Sequence, residues 1–163
     1  MKLLMAFFLT GCAFAQQPDP WKAFEPMIGS WVGEGGGGPG QGAGEFSLEF
    51  ELQKKILVRK NYAAYPEQNG RAAFRHDDLM IIYLDESTQR PRAIYFDSEG
   101  HTIRYTVNTS GENLIFESEP GEPGPRYRLT YAPAGDRAKG KFEVRAPGES
   151  QYKTYLDFAV RRK

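Results

Sequence analysis

The chain has 163 residues, 40% of them hydrophobic and 26% charged, with 21 basic and 21 acidic side chains. One domain able to bury its own core is expected at this length, and zero net charge argues against a basic nucleic-acid-binding surface. A lone cysteine excludes an intrachain disulfide framework or a cysteine zinc site, and no apolar run reaches the roughly 18–20 residues of a membrane-spanning helix.

The first residues read as an export signal: Met1-Lys2 is a short positive start, and Leu3 to Leu9 is an unbroken apolar run. Two processing routes fit. Leu9-Thr10-Gly11-Cys12 matches a bacterial lipobox, with Cys12 becoming the acylated first residue, and Ala13-Phe14-Ala15 matches cleavage before Gln16. Residues 1–15 are therefore assigned to the signal and 16–163 to the mature domain. Its expected location is outside the cytoplasm, in the periplasm, at the outer membrane or extracellular, with membrane contact only through a lipid on Cys12. Cleavage before Gln16 leaves no thiol, which suits an oxidising compartment.

Pro20 to Met27 predicts a short helix of about two turns. Asp19 is its cap, Pro20 sits at the first helical position, Trp21, Phe24 and Ile28 form one apolar face, and Gly29 is the stop. From Trp31 onward the helical period is gone, and β-rich runs alternate with turn clusters at roughly ten-residue spacing. Ten strands are expected, near 30–34, 44–53, 55–65, 74–84, 91–97, 101–108, 113–118, 126–132, 139–145 and 151–161. The breaks carry turn chemistry, as at Asn69-Gly70, Ser98-Glu99-Gly100, Ser110-Gly111, Ala134-Gly135 and Pro147-Gly148. Connections this short demand antiparallel neighbours.

Strand parity assigns the faces. Phe46, Leu48, Phe50 and Leu52 share one side; so do Tyr127, Leu129 and Tyr131, and Tyr152, Leu156, Phe158 and Val160. One apolar face per strand predicts an all-β fold, a single antiparallel up-and-down β-barrel closed around its own interior. Leu79 to Tyr83 and Ile94 to Phe96 are apolar on both faces, so that wall is expected to carry the N-terminal helix or a second subunit, as in a homodimer. Residues 33–44 hold eight glycines. Gly33 to Gly38 matches G-x-G-x-x-G, but no βαβ pattern follows, so a loop over the barrel mouth is expected rather than a nucleotide site.

The segment Gly29-Ser30-Trp31-Val32-Gly33-Glu34-Gly35, after a short helix and opening a run of ten strands, resembles the G-x-W-x-G-x-G start of lipocalin-like (calycin) barrels, distantly nitrobindin-like. Lys55 to Tyr62, His76 to Met80 and Tyr95 to His101 look like marks of an uncharacterised secreted bacterial branch, for which the resemblance implies a fold and no function. Nitrobindins hold haem through a late-strand His. This chain has no His after His101, so the resemblance implies no haem here, and no cofactor is expected.

Polar candidates are few. His76-Asp77-Asp78 precedes an apolar strand, and Asp97 and His101 flank the turn Ser98-Glu99-Gly100. Such groups can hold zinc or iron, or simply form turns; the spacing does not decide, and no metal is assigned. Arg59 and Asn61 share a face with Leu57, Tyr95 with Asp97, and His101 with Ile103 and Tyr105. Inward faces would assemble a ligand-binding cluster of Arg59, Asn61, Tyr95, Asp97, His101 and Tyr105, with Arg59 gripping an anionic head group or pairing with Asp97. Glu49 and Glu51 read as a solvated face. No G-x-S-x-G elbow is present, and no catalytic residue is assigned. Three classes stay open: a barrel carrying an apolar or amphipathic small molecule, a filled structural barrel, and an enzyme built on His76, Asp97 and His101.

Overall fold

The computed structural model describes residues 19–35, 43–68, 70, 72–120 and 124–163. The export segment with Cys12 and the centre of the glycine-rich stretch lie outside the described residues.

All ten expected strands form, with boundaries within two residues of those read from the sequence. They are β1 (Gly29–Gly33), β2 (Ala43–Glu51), β3 (Ile56–Tyr65), β4 (Phe74–Leu84), β5 (Pro91–Asp97), β6 (Thr102–Ser110), β7 (Asn113–Ser118), β8 (Arg126–Ala134), β9 (Arg137–Arg145) and β10 (Lys153–Arg162). Each pairs antiparallel with its neighbour in sequence, and β10 closes onto β1 through Trp31 opposite Arg162. Closure leaves no unpaired edge.

The two ends of the barrel differ. At one end the links are 52–55, 85–90 and two tight two-residue turns, Gly111-Glu112 and Gly135-Asp136, with Gly111 at φ 61 and Gly135 at φ 67, where a side chain would be strained. At the other end the links span 34–42, 66–73, 98–101, 119–125 and 146–152, most of them longer. The tight end is the floor. Trp31, Leu57, Met80, Ile82, Tyr105, Leu114, Phe116 and Tyr131 are buried in one continuous cluster above it.

The N-terminal helix plugs this floor, but it is not the two-turn α-helix the pattern predicts. It is a 3-10 segment, Lys22–Met27, with Pro26 inside it. Pro26 has no N–H to give to an α-helical ladder, and three residues per turn puts Trp21, Phe24 and Met27, rather than Ile28, on the buried edge. Asp19 still serves the start, its carboxylate accepting from the Trp21 amide at 2.9 Å. The Trp31 indole N–H donates to the Met27 carbonyl at 2.9 Å, and the Trp21 ring meets Phe50 edge-on. From β10, Arg162 donates to the carbonyls of Pro26 and Ile28. These contacts place the helix under the barrel, and Phe96 on the doubly apolar wall stays 40% exposed.

The parity reading fails twice. Leu52, grouped with Phe46, Leu48 and Phe50, lies past the end of β2 in the turn to β3, at φ 48 and 69% exposed. A register shift between Thr154 and Leu156 makes Tyr155 an extra residue, 70% exposed. Beyond this bulge the alternation inverts. Tyr152 therefore leaves the interior set of Leu156, Phe158 and Val160; its ring lies under the guanidiniums of Arg128 and Arg145, at 4.2 and 5.1 Å.

Candidate functional site

Burial falls steadily from floor to mouth along the inward-facing residues. On β3 the order is Leu57 and Arg59 buried, then Asn61 and Ala63 half-buried; on β4 it is Ile82 and Met80 buried, then Asp78 and His76, and Phe74 exposed. Ile103, Tyr127, Phe142, Val144 and Leu156 are half-buried on the facing strands. The interior is thus packed below and open above. The open half has a polar wall on β3–β5 and an apolar wall on β8–β10, where Tyr127 and Phe142 stack at 5.8 Å.

The polar wall is a continuous hydrogen-bonded chain running from the interior to the rim. Register sets it up, because Asn61, Asp78 and Asp97 lie side by side across β3, β4 and β5. Arg59 Nη1 donates to Asp78 Oδ1 at 2.5 Å, and Asn61 Nδ2 donates to Asp78 Oδ2 at 2.7 Å. His76 Nε2 stands 3.3 Å from Asp78 Oδ2 and 3.1 Å from the Tyr95 hydroxyl, while its Nδ1 is 2.8 Å from Glu99 Oε2. The Tyr95 hydroxyl donates to Asp97 Oδ2 at 3.3 Å. Asp97 also meets His101 Nδ1 at 2.9 Å and accepts from the His101 and Glu99 amides, so it fixes the β5–β6 turn.

Electrostatics follow from these partners. Burial opposes ionisation of Asp78, but the Arg59 charge and the bonds from His76 and Asn61 outweigh it and hold its carboxyl below the usual range. The hydrogen bond to Asp78 raises His76 against its partial burial, helped by the charges of Asp78 and Glu99. Burial, then the carboxylates of Asp78 and Asp97, push the Tyr95 phenol far up, so it remains a donor.

The six residues singled out from the sequence occupy one stretch of wall, with differences. Arg59, Asn61, Tyr95 and Asp97 are joined as one network, through Asp78 and His76. Arg59 pairs with Asp78, not with Asp97. His101 shares the expected parity but sits at the rim with its side chain 65% exposed. Tyr105 is buried lower down, edge-on to Phe116. The sequence names Asp78 only within the run His76-Asp77-Asp78 and Glu99 only as a turn residue, and puts neither in the ligand-binding cluster. Parity with Met80 and Ile82 could have placed Asp78 inward, whereas Glu99 reads as an ordinary turn residue.

Among the described residues, two buried polar side-chain atoms, Arg59 Nε and the Tyr131 hydroxyl, have no partner in good hydrogen-bond geometry, and these two groups lie against each other. The Arg59 guanidinium lies between the rings of Phe46 and Tyr131, at 5.2 and 5.9 Å. Both residues are buried, Tyr131 within the packed cluster and Arg59 beside it.

No protein-family model matches the chain, and no curated protein matches it. Its fold is similar to the crystal structure of Rv2717c from M. tuberculosis. The TM-score is 0.59 with 15% identity, over 90% of this chain and 98% of that one. At this identity the likeness is one of fold: a ten-stranded antiparallel barrel, consistent with the lipocalin-like plan.

Proposed function

We propose that the protein is a small-molecule-binding barrel whose open half takes an amphipathic ligand, with an acidic or other anionic oxygen in its head group. The reading rests on one observation, the orphaned Arg59 Nε–H and Tyr131 hydroxyl. Leaving a buried donor unmade costs about 1–3 kcal/mol, so an acceptor that reaches both atoms gains what the protein itself leaves unsatisfied. Arg59 spends Nη1 on Asp78 and keeps Nε for such an oxygen. Ile103, Tyr127, Phe142 and Leu156 then offer half-buried apolar surface to the rest of the molecule.

The packed floor favours a filled lower interior, so the ligand is confined to the mouth half. Titration with an anionic fluorescent lipid probe tests the reading. Saturable binding is expected, weakened several-fold by Tyr131→Phe, which deletes only the hydroxyl. A wild type that binds no probe belongs to the filled, structural class of barrel instead.

Export accompanies this proposal, supported by Lys2 and the run Leu3 to Leu9. Fractionation of a Cys12→Ser variant separates the routes: release from the membrane supports acylation, and unprocessed protein in the cytoplasm rejects export.

A further inference from the structure

We propose that the rim of the barrel holds a divalent metal ion of zinc type, ligated by His76, Asp97 and Glu99. One ligand atom from each of these residues lies within 4.8 Å of the other two. Donors each ~2.1 Å from a tetrahedral ion are roughly 3.4 Å apart, so small side-chain adjustments close the set. One imidazole with two carboxylates is a zinc-type donor set, and a fourth position is left for water or a ligand atom.

The surroundings supply what a metal-bound histidine requires. A ligating imidazole almost always gives its other ring N–H to a carboxylate or carbonyl. With Nδ1 turned to Glu99 as the ligating nitrogen, Nε2–H of His76 is left to the Tyr95 hydroxyl at 3.1 Å and to Asp78 at 3.3 Å. Asp78 is itself locked by Arg59 and Asn61, and its side chain is 4% exposed. Asp97 is held in turn by the Tyr95 hydroxyl, the His101 ring and two backbone amides. Charge agrees: Arg59 neutralises Asp78, and a divalent cation that displaces the His76 proton balances the carboxylates of Asp97 and Glu99. The inference does not depend on the orphan atoms that carry the ligand reading, because those lie deeper, at Arg59 and Tyr131.

Calorimetric titration of tag-free full-length protein with Zn²⁺, and visible spectroscopy with Co²⁺ in its place, test the site. One ion per chain is expected, with the intense visible bands of four-coordinate Co²⁺. His76→Ala and Glu99→Gln should each weaken binding at least about tenfold. Glu49→Gln, on the outer face of β2, should leave it unchanged. Glu99 lies at the exposed rim, so its variant keeps the result readable if His76→Ala disturbs the wall around Asp78. Absence of saturable one-to-one binding overturns the proposal, as does binding that survives Glu99→Gln at wild-type strength.

Discussion

Arg59 and Asp78 form a buried ion pair across β3 and β4, with side chains 9% and 4% exposed. They are diagonal neighbours, since Arg59 stands opposite Met80 and Asp78 opposite Asn61. The pair marks the level at which an apolar core gives way to a polar wall. Removing one member leaves the other charged and buried, which typically costs about 3–5 kcal/mol. Arg59→Met should therefore lower the unfolding free energy from urea titration by an amount in that range. The double variant Arg59→Met/Asp78→Leu should recover much of the loss, because neither charge remains. If Arg59→Met shifts stability by less than about 1 kcal/mol, water reaches this pair and the wall is wetter than its burial implies.

Trp31 couples the helix to the barrel. It is fully buried, stacks on Phe46 at 6.0 Å, and anchors Met27 through its indole N–H. Trp31→Ala should cost roughly 3–5 kcal/mol, the usual range for large aromatic truncations in cores. Trp31→Phe keeps most of the volume but drops the hydrogen bond. It should cost less and loosen the helix selectively, seen as faster amide exchange at Phe24 and Ile28, whose amides bond to Trp21 and Glu25. Exchange unchanged at those amides would show that packing alone holds the plug.

The fold was legible because strands such as β2 and β8 alternate cleanly and most turns carry glycine or proline, although the links 52–55 and 85–90 carry neither. β10 shows the limit. Nothing in Lys153-Thr154-Tyr155-Leu156 announces a bulge, since bulges are set by pairing with β9 rather than by local preference. The helix type was hidden in the same way: spacings of three and four fit both helix kinds until Pro26 and the floor decide between them. At the site, parity put Arg59 and Asn61 on the correct face. The partner was missed because choosing Asp78 over Asp97 requires the register between β3, β4 and β5. Strand patterns say little about that register. Asp77, one residue away, faces out and pairs with Arg75, so the run His76-Asp77-Asp78 splits between the two sides of the wall.

Gly140 on β9 faces the interior opposite Phe158 on β10. A Cβ at Gly140 would run into the Phe158 ring, which also meets Tyr131 edge-on at 6.1 Å. The ring thus covers the glycine and has little room to retreat. Gly140→Ala should destabilise by about 1–3 kcal/mol through overpacking. Combined with Phe158→Leu, the alanine should cost far less than it does alone, a non-additivity that a double-mutant cycle measures. Additive effects would mean that the ring moves aside freely.

Acid sensitivity is expected at the floor as well as at the site, and Asp85 isolates it. In the β4–β5 turn one oxygen of Asp85 accepts from the amides and hydroxyls of Ser87 and Thr88, at 2.6 to 3.2 Å. These bonds, led by the Ser87 hydroxyl, lower its carboxyl to about 2. The unfolded chain returns it to about 3.9. A depressed native value means that the unfolded state binds the proton more readily. The stabilisation is therefore fully present above about pH 4 and is lost as pH falls through about 2. Asp85→Asn keeps an acceptor oxygen in the turn but removes the titration. Wild type should lose stability over that window more steeply than Asp85→Asn, measured by urea unfolding at pH 6, 4, 3 and about 2. The buried Asp78 lowers both curves alike and cancels in the comparison. Parallel curves would show that the turn gains nothing from the charge on Asp85, only from its oxygen.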